Sequence, residues 1–211
     1  MKTLSPPSPT TCIDHLIQLF RSSAALLQDY SNGQVNQGLW FLSSNACSVH
    51  TDAFIDHAAP LERRLVGVEA VYALYRDLFV TRCSPELLHG RRTGKPAGNP
   101  LNSVCFMFWD IGSLLAADEA PMQAAILDVL QRIAKLGHVA CIEGAVHGLG
   151  HAALCGYVEA SGILDNMISS SSCPSEIIPY ARKAKPRMVT LSDDSELMQG
   201  STRVIRVRLE Y

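Results

Sequence analysis

Apolar residues recur every three or four positions along most of this chain, a spacing that predicts helices almost throughout. Ile13, Leu16, Ile17, Phe20, Ala24 and Leu27 mark a helix over 12–30, after a proline-rich leader at 1–10. Val35, Leu39 and Leu42 mark a second helix over about 34–44. A short helix capped by Thr51 or Asp52 is expected to end before Pro60. The clearest stripe is Leu65, Val68, Tyr72, Tyr75 and Phe79, which predicts one helix over 61–80 with its charged residues elsewhere.

The stretch "HGRRTGKPAGNP" at 89–100 is a loop by its glycines and prolines, and it divides the helical region into two halves. Asn99 as cap and Pro100 in the first turn open the apolar segment "NPLNSVCFMFWDIGSLL", whose character nearly all round predicts deep burial. An amphipathic helix follows, with Asp118 as its expected cap and Gly137 as its stop. The segment "HVACIEGAVHGLGHAALCGYVEAS" is the next helix. A serine-rich hinge at 169–172 then separates two short helices, the second over about 174–184.

From residue 187 the pattern changes. Alternation in "TRVIRVRLEY" is a strand signal, and "RMVTLS" is a possible pairing partner. The expected fold is therefore all-α: one helical domain over 11–186, with a short C-terminal β-hairpin or disordered tail at 187–211. The helix pairs and short loops resemble HEAT or armadillo repeats, although no strict repeat period is visible. "NPLNSVCFMFWDI", "CIEGAVHGLGHAAL" and "SEIIPYARKA" also resemble segments of an uncharacterised bacterial helical-repeat family. Neither resemblance implies an activity.

Composition narrows the function classes. A 47% apolar, 18% charged chain with net charge −2 has a globular balance and no basic surplus for nucleic acid. No apolar window is long enough for a membrane span, and "MKTLSPPSPTTC" lacks the apolar core of a signal peptide, so a cytoplasmic protein is expected. Seven cysteines with no CxxC pair read as free thiols rather than a zinc ribbon or a disulfide framework. Cys141 and Cys155 flank the motif discussed next, yet nothing in the sequence suggests that their thiols are activated. "GRRTGK" is not a phosphate loop, and no GxSxG or dinucleotide fingerprint occurs.

The one stretch carrying candidate chemistry is "EGAVHGLGH", 143–151. Residues four apart on a helix drift by only about 40°, so Glu143, His147 and His151 form one column. Two histidines at this spacing can aim nitrogens at a single zinc, iron or manganese ion. Glu143 would then be a third ligand, a base or an orienting group, and Asp110 on the apolar segment is the candidate fourth ligand. The same residues could instead form a hydrogen-bonded network inside a packed helix. Gly144, Gly148 and Ala152 run beside the column, and such a ladder of small residues predicts close approach of a neighbouring element. "HGLGH" resembles a segment of the pita-bread metallopeptidases, but the upstream aspartates and downstream glutamates of that family are missing. Two functions follow. One is a binding or scaffold module that meets a protein partner through its helical surface. The other is a metal- or small-ligand-binding protein built on the column, a reading that includes a metal-dependent enzyme.

Overall fold

The computed structural model describes residues 7–89, 98–171 and 173–185, and among these every regular element is helical. The loop at 90–97 and the tail with its expected hairpin lie outside the described residues. The first helix, α1 (Pro9–Arg21), starts earlier than the leader reading allows, because Ser8 accepts the Thr11 N–H and Pro9 occupies the first turn. It also stops earlier than Tyr30. Ser22 leaves helical geometry, and only one short turn, α2 (Ser23–Leu26), follows. A capping box between Ser31 and Gln34 starts α3 (Asn32–Ser43). The expected helix before Pro60 is a 3₁₀ turn, His50–Phe54.

The predicted single helix over 61–80 is α4 (Leu61–Leu74), a π-helical turn over Tyr75–Phe79, and α5 (Val80–Arg82). Hydrophobic spacing cannot reveal a π turn, which keeps the helix continuous while rotating its face. The rotation buries Tyr75, Leu78 and Phe79 together, and the Tyr75 hydroxyl donates to the Cys105 carbonyl at 2.7 Å. The apolar segment after Pro100 is helical only in α6 (Leu101–Met107). Beyond it the chain turns through Asp110, whose N–H donates to Met107, and reaches a second 3₁₀ turn at Leu114–Ala116.

Glu119 rather than Asp118 occupies the cap position of α7 (Ala120–Ile133) and pairs with the buried Arg64 guanidinium instead of capping. Gly137, at φ +71°, closes the turn before α8 (Val139–Leu154). The chain continues through α9 (Ala160–Ser169) and α10 (Ile178–Ala184).

Packing is organised by α8, in which every residue from Ala140 to Gly150 is buried. It contacts α6, α7, α9 and α10, while α4 packs against α1 and α7 on the other side. This is an all-α helical bundle. Its centre is aromatic, with Tyr75, Phe79, Phe108 and Trp109 in mutual ring contact. Burying such rings supplies a large share of the apolar area that drives folding. No helix among the described residues is long and apolar enough to cross a membrane.

Candidate metal centre

Three glycines of α8 bring three neighbours close, and those neighbours build the site. A Cβ on Gly144 would lie 2.5 Å from the Cys105 carbonyl oxygen, so glycine is what lets α6 settle on α8. A Cβ on Gly148 would lie 2.8 Å from the Trp109 ring, so the indole packs against bare backbone. That contact places the next residue, Asp110, beside the outer part of α8. A Cβ on Gly150 would lie 2.7 Å from the Ala184 carbonyl, and the resulting approach of α10 brings Tyr180 to His147. The small-residue ladder thus marks close approach, as expected from the sequence.

Asp110, His147 and His151 converge, with one ligand atom from each lying within 4.8 Å of the others. His151 Nδ1 is 3.0 Å from Asp110 Oδ1, and His147 Nε2 is 3.9 Å from Oδ2. His147 is only 4% exposed, whereas the Asp110 and His151 side chains keep 31% and 18% of their surface, so the cluster is reached from solvent on one side. The two ring nitrogens of His147 differ. Nδ1 is 2.7 Å from the Tyr180 hydroxyl, whereas the buried Nε2 makes no hydrogen bond among the described residues. The Phe106 ring covers the imidazole, with centroids 4.2 Å apart.

Burial and mutual contact shift the titrating groups of the cluster. The facing His147 imidazole, then the charge of His151, hold the Asp110 carboxyl below its ordinary range against the effect of burial. Burial, reinforced by His147, lowers the His151 pKa despite the opposing pull of Asp110. An ionised carboxylate and a neutral imidazole are the forms in which these groups ligate metals.

Glu143 lies elsewhere. It is 1% exposed, and its carboxylate accepts the backbone N–H groups of Leu88 and His89, each at 2.7 Å. It also meets His89 Nδ1 at 2.6 Å. The structure therefore brings Asp110, His147 and His151 together and places Glu143 in a separate anchor for the segment ending at His89. Sequence reasoning missed His89, which falls at the edge of a loop, and Tyr180, which falls in an unremarkable short helix. Phe106 fell within the apolar segment expected to be deeply buried. Pattern in one helix cannot reveal side chains delivered by others.

Two further groupings differ in kind. His57, Asp118 and Glu119 also converge, but on the surface, with Glu119 engaged by Arg64. At the other end of α8, the Cys105 sulfur lies 3.7 Å from the Ala140 carbonyl oxygen. A hydrogen bond from Cys105, then the adjacent His138, bring the Cys141 thiol down to about 7, against burial. Of the two neighbours, His138 stands three residues before Cys141 in the sequence, whereas Cys105 is brought to it only by packing. The buried Cys105 thiol is itself pushed well above its ordinary value, burial being the main cause.

No protein-family model, curated protein or solved structure matches this chain.

Proposed function

We propose that this protein binds a divalent transition-metal ion through Asp110, His147 and His151. The reading is carried by the buried Nε2 of His147, which faces Asp110 Oδ2 at 3.9 Å without a hydrogen bond. That separation is too long for a hydrogen bond, yet it suits two ligands that each sit about 2.0–2.2 Å from one ion. An imidazole nitrogen left bare in a sealed position costs about 1–3 kcal/mol unless something compensates. Nitrogen and oxygen donors without thiolate favour zinc, iron(II) or manganese. Three protein ligands with one solvent side leave a position for water or another exchangeable ligand, the arrangement typical of sites that polarise a bound oxygen.

The other sequence-based reading, a scaffold or protein-binding module, has weaker support. The large exposed apolar side chains among the described residues, Leu26, Tyr30, Phe41, Val49 and Val158, are few and come from three stretches of the chain. A small open cleft of about 240 Å³ near Lys135, Ile163 and Met167 shares no lining residue with the cluster. We read the architecture as an irregular bundle rather than a HEAT-like stack, because one buried helix serves four neighbours. Free thiols at all seven cysteines support a reducing compartment such as the cytoplasm.

Elemental mass spectrometry of the purified, untagged protein tests the proposal, using cells supplied with zinc, iron and manganese. The expected result is close to one metal ion per chain, lost in the His147→Ala/His151→Ala double variant. Background metal in the wild type, or equal metal in both proteins, would overturn it.

A further inference from the structure

Glu143 shares a helical column with the two histidines yet holds no place beside them, and the contacts beyond α8 show how it still reaches them. Its carboxylate fixes His89 through the ring nitrogen at 2.6 Å and through the Leu88 and His89 backbone N–H groups. The His89 ring stacks on Tyr180, with centroids 4.0 Å apart and planes 19° from parallel. The Tyr180 hydroxyl reaches His147 Nδ1 at 2.7 Å, and the two rings lie within 15° of parallel. Phe106 closes the remaining face of His147. The line from Glu143 through His89 and Tyr180 to His147 is thus continuous and mostly buried.

Proton bookkeeping gives this line a purpose. Imidazole has one proton to place when neutral. If Nε2 binds a cation, the proton must sit on Nδ1 and needs an acceptor there. Tyr180 Oη is at the right distance to be that acceptor. Without the cation the proton is free to move to Nε2, on the side of Asp110, and Tyr180 can then donate to Nδ1. The hydroxyl therefore serves both states, but only in the metal-bound state does its loss strand a buried N–H.

Resting on the metal-binding reading, we propose that Tyr180 is the positioning residue of the centre. It accepts the Nδ1 proton of His147 when Nε2 holds the ion, and Glu143 supports it by fixing His89 beneath its ring. Tyr180 does not touch the ion, and Glu143 acts on it only through this relay.

Zinc affinity measured against a competing chelator separates the possibilities, with wild type compared to Tyr180→Phe. The phenyl ring keeps the stack on His89 and removes only the hydroxyl. The expected result is affinity weakened by about 10–100-fold in a variant that still folds, whatever lowering of the metal-free thermal midpoint accompanies the lost hydrogen bond. A merely structural role would lower that midpoint and leave the affinity of the folded protein alone. Equal affinity in the two proteins overturns the role of Tyr180 while leaving the metal centre standing. No zinc binding by the wild type overturns both. Should Tyr180→Phe fail to fold, the zinc-loaded wild type still decides: nitrogen-resolved NMR should find a slowly exchanging proton on His147 Nδ1. A metallated Nδ1, or a rapidly exchanging proton there, contradicts the assignment.

Discussion

In the proposed centre, protons and metal would compete for the same atoms of His151 and Asp110, so binding should respond to pH in a definite direction. Both groups have folded-state pKa values below their ordinary ones, His151 chiefly through burial and Asp110 chiefly through His147. A depressed value means that the unfolded chain binds the proton more readily. The stability each group contributes is therefore present above its unfolded pKa and lost as pH falls through the folded one. For His151 the loss begins below its ordinary value of 6.5, and for Asp110 below 3.8. Zinc affinity should hold level above about pH 6.5, the ordinary histidine value, and fall as the solution becomes more acidic. Chelator competition across pH 5–8 measures this, with His151→Gln expected to flatten the response. An affinity that instead rises toward acid would exclude an imidazole ligand.

At the scale of elements, the glycines of α8 are where packing and site assembly coincide. Gly144→Ala drives a methyl group into the Cys105 carbonyl, a backbone atom that cannot swing aside, and Gly148→Ala drives one into Trp109. Overpacking of this kind costs about 1–3 kcal/mol, outweighing the roughly 0.5–1 kcal/mol that alanine gains over glycine within a helix. Gly38, exposed on α3 with nothing within 4 Å of an added Cβ, is the control. Gly38→Ala should raise the melting temperature, and both α8 variants should lower it. The same elements show what could be read in advance. The ladder of Gly144, Gly148 and Ala152 announced close approach, and the i, i+4 histidines announced a shared direction, because both follow from helical geometry alone. Asp110 was legible as a carboxylate on the apolar segment, whose character predicted burial. His89, Tyr180 and the separation of Glu143 were not, since they depend on which turn of one element meets which turn of another. The π turn after Leu74 was likewise invisible, because an added backbone residue in a turn leaves the apolar spacing nearly intact.

For the whole molecule, α8 is the structural centre, and the side chains at its two ends differ in kind. Toward its C-terminal half, His147 and His151 meet Asp110. Toward its N-terminus, the buried Cys141 meets Cys105 and His138, a group that bears sulfur but does not converge as a metal-ligating set among the described residues. Metal found in the purified protein is therefore not by itself proof of the proposed centre. X-ray absorption at the edge of the bound metal distinguishes the two ends most directly, because zinc–nitrogen or zinc–oxygen bonds are about 2.0–2.2 Å and zinc–sulfur bonds about 2.3 Å. The predicted spectrum shows nitrogen and oxygen neighbours only, with imidazole scattering from two histidines that is lost in the His147→Ala/His151→Ala variant. A sulfur shell, or a spectrum unchanged in that variant, would move the metal to the cysteine end and contradict the assignment of Asp110, His147 and His151.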